Sequence, residues 1–318
     1  MYPLRKLTER AAAAVLMTAA AALMQSCFTG IESTPRISEA QVQRNTHAGA
    51  EELYLLDITP EPPGKWERGK MFMVTEGRLS RAMEGTPAWA DSLRGTKLFF
   101  QQFRAVSTPT GTGTEVILTT DAGQELRYRT SVHPDSIANA GALVIPFTID
   151  MDMVTAADSR MHGKTYYIKT PAWMIPGTDI RADSTLRHVP VTVDSVTPGD
   201  NRYPLMVHFS YQYRQYYVFM SLDAEHGNSR NFPALFSLEN PRRRFRQITD
   251  AVWNNIIHGR VENGMTREEC RLALGTPENV NTQTDHAFIN EVWTYPGGGY
   301  LIFKDGVLQE FRFIRSGK

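Results

Sequence analysis

Between residues 66 and 245 the chain alternates short apolar runs with clusters of Gly, Pro, Asp and Thr. The runs are KMFMVT (70–75), KLFFQQF (97–103), TEVILTT (114–120) and ELRYRT (125–130), then KTYYIKT (164–170), VPVTVDSV (189–196), YPLMVHFS (203–210) and QYYVFMS (215–221). Segments this short, rich in β-branched and aromatic residues and bounded by turn formers, predict strands. Shifting the chain by 90 residues lays 103–131 over 193–221 without a gap, with Val106 on Val196 and Ser131 on Ser221. Strand, turn and strand coincide. This pattern is consistent with two related β modules, small barrels in outline, at 66–140 and 141–245; two unrelated meanders of similar spacing remain the alternative.

After residue 246 the period changes. Thr249 is placed to cap a helix running to His258, with Val252, Trp253, Ile256 and Ile257 on one face and Gly259 as its stop. In GMTREECRLALGTP (264–277), Thr266 and Glu269 make a capping box, and Met265 and Cys270 occupy the positions of a hydrophobic staple. Gly275 ends that helix and Pro277 prevents its continuation. Strands are expected at EVWTYP (291–296), YLIFK (300–304) and VLQEFRFI (307–314), with Asp305-Gly306 as a tight hairpin turn. On the last of these Val307, Phe311 and Phe313 are expected to share a face. Two helices over one side of an antiparallel meander make residues 246–318 an α+β unit, and the chain as a whole α+β.

The first 27 residues are of another kind. Arg5, Lys6 and Arg10 precede an uncharged run, AAAAVLMTAAAALM (11–24), and Gln25-Ser26 then lead to Cys27. The run is shorter than the ~20 residues a membrane-spanning helix needs and fits a signal peptide, residues 1–26. MQSC resembles the lipobox at which bacterial lipoproteins are acylated and cut, which makes Cys27 the expected lipid attachment residue. Residues 27–65, ending in TPEPPGK (59–65), read as a tether stiffened by proline, with LYLL (53–56) as a short strand. Phe28 and Thr29 stand where an acidic retention or surface-export signal would lie. By resemblance to other lipoproteins this favours the periplasmic face of the outer membrane.

The helix and hairpin residues of the C-terminal unit resemble the SmpA/OmlA (BamE-like) family of small outer-membrane lipoproteins. The residues that carry this are Gly264-Met265-Thr266, Leu274-Gly275-Thr276-Pro277, Trp293-Thr294-Tyr295 and the aromatic hairpin at 300–311. The likeness spans about 248–314, and some 200 residues precede it, unlike the usual family member. It implies a protein-binding scaffold without catalysis.

Composition narrows the chemistry. The chain has 318 residues with 34 basic and 34 acidic side chains. Losing residues 1–26 removes Arg5, Lys6, Arg10 and Glu9 and leaves 31 basic against 33 acidic groups. A balance of this kind argues against a general nucleic-acid binder. With Cys27 acylated, Cys270 has no partner for a disulfide, and its staple position makes it a core residue. HGKT (162–165) lacks the earlier glycine of a phosphate loop, where Asp158 stands, and Val116 occupies the third glycine position of the string begun by Gly111 and Gly113. No G-x-S-x-G or H-E-x-x-H occurs. Asp150 and Asp152 are placed to share one face of a strand, either as a solvated pair or as paired carboxylates for acid–base work or calcium. PRRRFR (241–246) reads as a linker surface or as a contact for lipid head groups. Trp293 and Tyr295, two apart on a strand, form either a partner-binding surface or the core beneath the helices.

No cofactor and no metal is expected. The expected function is a non-catalytic envelope lipoprotein that binds another envelope protein. The alternative is a glycan- or ligand-binding lipoprotein that uses the β modules.

Overall fold

The computed structural model describes residues 49–83, 87–183, 185–222, 230–285 and 288–313. Among them are fourteen strands in three antiparallel sheets with a few short helices, so the fold is mostly β with some α. After a helix, α1 (49–53), come β1 (Met71–Val74), α2 (Leu79–Ala82), β2 (Lys97–Thr108), β3 (Gly111–Thr120), β4 (Glu125–Thr130), α3 (Pro134–Ala138) and β5 (Thr148–Asp150). Their sheet has the order β4-β3-β2-β1-β5. Next come α4 (Met151–Met161), β6 (Thr165–Ile168), β7 (Val189–Pro198), β8 (Leu205–Tyr211), β9 (Arg214–Met220), α5 (Phe232–Leu235) and β10 (Phe236–Ser237). The second sheet runs β9-β8-β7-β6-β10, the same order as the first.

Both sheets are bulged in the second strand, at Phe100/Gln102 and at Val193/Ser195. Sequence explains the bulges. Leu98 and Phe100 are buried and then Phe103 packs on the same core; Val191 and Val193 are buried and then Val196. Two polar residues in a row break the alternation in each case, and the extra residue of a bulge restores the inward face. Superposing the bulges pairs Gln101 with Asp194, three residues beyond the ungapped 90-residue shift. Each order has two ends, so neither sheet closes into a barrel among the described residues.

The boundaries differ from those expected. β5 belongs to the first sheet, pairing Ile149 with Met73 of β1, so that sheet runs from residue 71 to 150 rather than ending near 140. Helical residues begin at 49, inside the stretch expected to be tether. Tyr54, Leu55 and Ile58 pack into the core of the second sheet, and 53–56 is not a strand. α4 is a helix within a stretch that reads as β. Asp150 caps it by accepting a hydrogen bond from the Asp152 amide at 3.0 Å, and its Val154, Ala157 and Met161 enter the second core.

Glu51, only 3 % exposed, ties α1 to Lys169 just after β6, to β10 and to the connection after β10. Its carboxylate accepts from Lys169 Nζ at 2.8 Å, from the Ser237 hydroxyl and from the Leu238 amide at 3.3 Å, with the Arg244 guanidinium at 3.5 Å. The basic run 241–246 is therefore partly internal. Arg242, too, pairs with Asp250 at 2.8 Å and stacks on Trp253 at 5.2 Å.

The C-terminal unit comprises α6 (Asp250–Ile257), α7 (Arg267–Leu274), β11 (Asn279–Asp285), β12 (Phe288–Tyr295), β13 (Gly299–Lys304) and β14 (Val307–Arg312), with the sheet order β11-β12-β13-β14. Thr249 caps α6, and the reciprocal Thr266–Glu269 bonds of the capping box are both present. Asp305 and Gly306 take the positive φ expected of their turn. β11 lies outside the expected strands: NVNTQTD has almost no apolar residue, and its ladder with β12 is what holds it extended. Phe303 lies opposite Leu308 but Ile302 opposite Glu310, so Gln309 is an extra residue. That bulge puts Val307 on the face opposite Phe311, contrary to the expected sharing.

Two residues dock this unit on the second sheet. Arg187 donates to Leu274 O at 3.2 Å and to Lys169 O at 3.3 Å, and His188 Nε2 lies 3.0 Å from Leu272 O. Because a carbonyl only accepts, Nε2 carries the proton, and Nδ1 is buried with no partner. Burial pushes the His188 pKa down to about 4, opposed by the Leu272 carbonyl and reinforced by Arg187 and Lys169.

Burial alone would raise the Glu51 pKa, but Lys169, Ser237 and Arg244 hold it below the ordinary value. A lowered carboxyl pKa contributes stability that is complete above the unfolded value near 4.5 and lost as pH falls through the folded one. Glu51→Gln is expected to lose roughly 2–4 kcal/mol at pH 7, as for a broken buried pair. It should also weaken less than the parent on acidification below pH ~4.5. Urea unfolding at pH 7 and at pH 4 checks both; equal curves at pH 7 would refute the role given to Glu51.

Candidate partner-binding site

The C-terminal sheet has two unlike faces. Toward the helices lie Trp293 and Tyr295 of β12, Leu301 and Phe303 of β13 and Leu308 of β14, packed with Ile256, Met265, Cys270 and Ala273. Trp293 is 0 % exposed. Its ring is 4.6 Å from Phe303, its Nε1 donates to Glu291 at 3.1 Å, and the Arg271 guanidinium lies 4.7 Å over it. Tyr295 is 8 % exposed and donates to Gly275 O at 3.3 Å; burial pushes its pKa up to about 12. Of the two readings for this pair the structure has the core. Neither side chain offers a surface to a partner, because odd-numbered positions of β12 point at the helices.

The even-numbered positions point away. On β12, Val292 (36 % exposed) stands beside the half-buried Ile302 of β13 with Tyr300 next along that strand, and Phe288 (42 %) lies beyond Asn290, near Lys304. Val292 lies opposite Ile302, and Ile302 opposite Glu310. The Tyr300 hydroxyl donates to Glu310 at 2.8 Å, and Lys304 Nζ sits 3.5 Å above the Phe288 ring. These apolar side chains, with Asn290 among them and Lys304 and Glu310 at their border, have the composition of a contact surface. The signal lies in the sequence, in the same FINEVWTY run that contains Trp293.

The remaining candidates lie elsewhere. Cys27 falls outside the described residues. Cys270 is free and fully buried, and burial, with Glu269 beside it, pushes its thiol up to about 12, which makes it inert at neutral pH. Asp150 and Asp152 do not share a strand face. One ends β5, the other lies in the first turn of α4, and both meet Lys70, whose ammonium is also 3.5 Å from Glu61. Burial pushes the Asp150 pKa up, against the pull of Lys70. The pair is thus engaged by a cation of its own chain. The aromatic residues of the second sheet are mostly internal: Trp173 contacts Phe209 at 5.3 Å and Tyr216 at 5.1 Å. His208 bonds Thr197 at 2.9 Å, and His226 lies outside the described residues. Among the described residues no group of three His, Cys, Asp or Glu is placed to hold a metal, and no helix is long and apolar enough to cross a membrane.

Comparison with known proteins gives no match: no family model, curated protein or solved structure resembles the chain significantly.

The burial of Cys270 in the core beneath Trp293 has a direct consequence. In the full chain carrying Cys27→Ser, the remaining thiol should react with a maleimide only as fast as the C-terminal unit opens, and immediately in urea. Rapid labelling of the folded protein would contradict this packing.

Proposed function

We propose that the chain is an exported lipoprotein, held to a bilayer through lipid on Cys27, whose C-terminal unit binds another envelope protein without catalysing a reaction. The observation that carries this reading is the order of residues 5–27: cationic, then uncharged and apolar for 14 positions, then Gln-Ser-Cys. Acyl chains on Cys27 contribute about 0.8 kcal/mol per buried CH₂, so more than one chain gives stable anchoring. The SmpA/OmlA-like residues of 248–314 support a scaffold role, and two helices over one sheet face are what that resemblance implies. The two bulged sheets serve in this reading as a pair of related β modules between the anchor and the binding unit. The outer membrane's periplasmic face is the location it favours.

The partner surface assigned here is the open face at Phe288, Val292 and Ile302, in place of Trp293 and Tyr295. An aromatic and two branched aliphatic side chains outside the core are the kind of apolar centre around which partners pack.

Crosslinking in native membranes followed by purification tests anchor and surface together. The parent is expected to incorporate labelled palmitate and to recover a defined envelope protein. Cys27→Ser should lose the label and leave the membrane fraction. Val292→Glu with Ile302→Lys should keep the label and the thermal midpoint yet recover at least about tenfold less partner, a loss of ~1.4 kcal/mol or more. Palmitate labelling of Cys27→Ser at the parent's level would end the anchor reading. Undiminished recovery by the double variant would end the surface assignment.

A further inference from the structure

A cleft of about 580 Å³ opens between the first and second sheets. Its walls are the turn after β1, the approach to β2 and the β7–β8 connection, and its charged lining is Arg78, Arg94, Arg202, Glu76 and Asp200. A second cavity of about 310 Å³ shares Thr75, Arg94 and Asp200 with it and extends it along Gly95 and Gly199.

The arginines are not spent on the fold. Arg94 and Arg202 have no carboxylate within salt-bridge distance among the described residues, and Arg78 has only Glu76, at 3.9 Å. Asp200 is occupied by its own loop, accepting from the Arg202 amide at 2.8 Å and the Tyr203 amide at 2.7 Å. The Arg202 guanidinium carbon lies 5.3 Å from the centre of the Tyr203 ring, a cation–π contact that uses the ring face and no carboxylate.

The loops that carry these groups are tightly held. Gly95 N donates to Val74 O at 2.8 Å, and Gly199 N to Pro204 O at 2.9 Å. A Cβ at Gly77 would stand 2.6 Å from Asp91 O, and one at Gly199 2.2 Å from Tyr203 O, so both walls have their backbone packed too closely for a side chain. The cleft lining thus carries three arginines against the two carboxylates Glu76 and Asp200, a net positive charge held on close-packed loops.

We infer that this cleft binds a phosphate-bearing ligand, with the phosphate between Arg78, Arg94 and Arg202. A terminal phosphate presents three acceptor oxygens and up to two charges to three planar forks, more than one carboxylate can offer. The space exceeds what phosphate alone fills, and the exposed Asn201 amide in the lining suits a hydroxyl-rich body such as a sugar. Phosphate of this kind comes either from a phosphorylated glycan or from a lipid head group.

Titration calorimetry of the full chain with Cys27→Ser tests the site. The probes are glucose 1-phosphate, uncharged glucose, and dihexanoyl phosphatidylglycerol below its micelle concentration. At least one phosphate probe should bind and glucose should not. Arg94→Ala and Arg202→Ala should each weaken binding about tenfold, with partial recovery in the lysine variants. Arg127→Ala, which removes a β4 side chain paired with Glu125, should bind like the parent, and unchanged thermal midpoints would show that all variants are folded. Binding of the sugar phosphate alone assigns the glycan source, and binding of the lipid alone assigns the head group. Glucose binding as well as its phosphate, no heat from either phosphate probe, or parent-like affinity in the Arg94 and Arg202 variants would overturn the inference.

Discussion

The last carbonyls of a helix have no partner within it, and a helix end can be buried only if something else supplies donors. α7 ends against the second sheet, and the donors come from Arg187, His188 and Tyr295, which reach Leu274, Leu272 and Gly275. A cation at that end also suits the helix dipole. Burial pushes Arg187 down only to about 10, so it remains charged at neutral pH. The contact is asymmetric: one Arg–His dipeptide, in the irregular segment before β7, satisfies the termination of a helix more than eighty residues later. His188 adopts a positive φ of 57° to make it, a backbone state that non-glycine residues seldom take.

Much else depends on that contact. With α7 fixed to the second sheet, the four-stranded sheet can turn only its far face outward, and Phe288, Val292 and Ile302 occupy that face. Glu51 extends the same logic toward the amino terminus. By gathering Lys169, Ser237 and Arg244 it binds α1 to β10 and to the start of the connection into α6. The first described helix and the entry to the last unit thus meet at one buried carboxylate. In the proposed lipoprotein, this would deliver the binding face at a fixed attitude to the point where the tether joins the folded body.

Much of the fold is legible in the sequence because local chemistry decides it. Thr249, Thr266 with Glu269, and Asp305-Gly306 each act within a few residues, and the structure has them in the expected places. The meander strands are legible for the same reason: their faces alternate. The elements that escape a reading of the sequence depend on distant partners. β11 is polar and exists because β12 pairs with it. α4 has Thr, Asp and Ser among its apolar positions, and only its packing on the second sheet makes it a helix. The bulges do leave a trace: Phe100-Gln-Gln-Phe103 and Val193-Asp-Ser-Val196 show the same lapse in alternation, which an ungapped shift conceals. Arg187 and His188 carry no local signature, since their role is set by carbonyls of another unit. The same holds for the cleft arginines at 78, 94 and 202, which only the tertiary fold assembles.

The most direct measurement is the distance distribution between two spin labels. One label would sit at Thr165→Cys on β6 and one at Gln309→Cys on β14, both exposed, in the Cys27→Ser chain where Cys270 stays buried. If Arg187 and His188 lock the C-terminal unit to the second sheet, the parent gives one narrow distance, and Arg187→Ala broadens it. A broad distribution in the parent, or a narrow one that Arg187→Ala leaves untouched, would contradict the account.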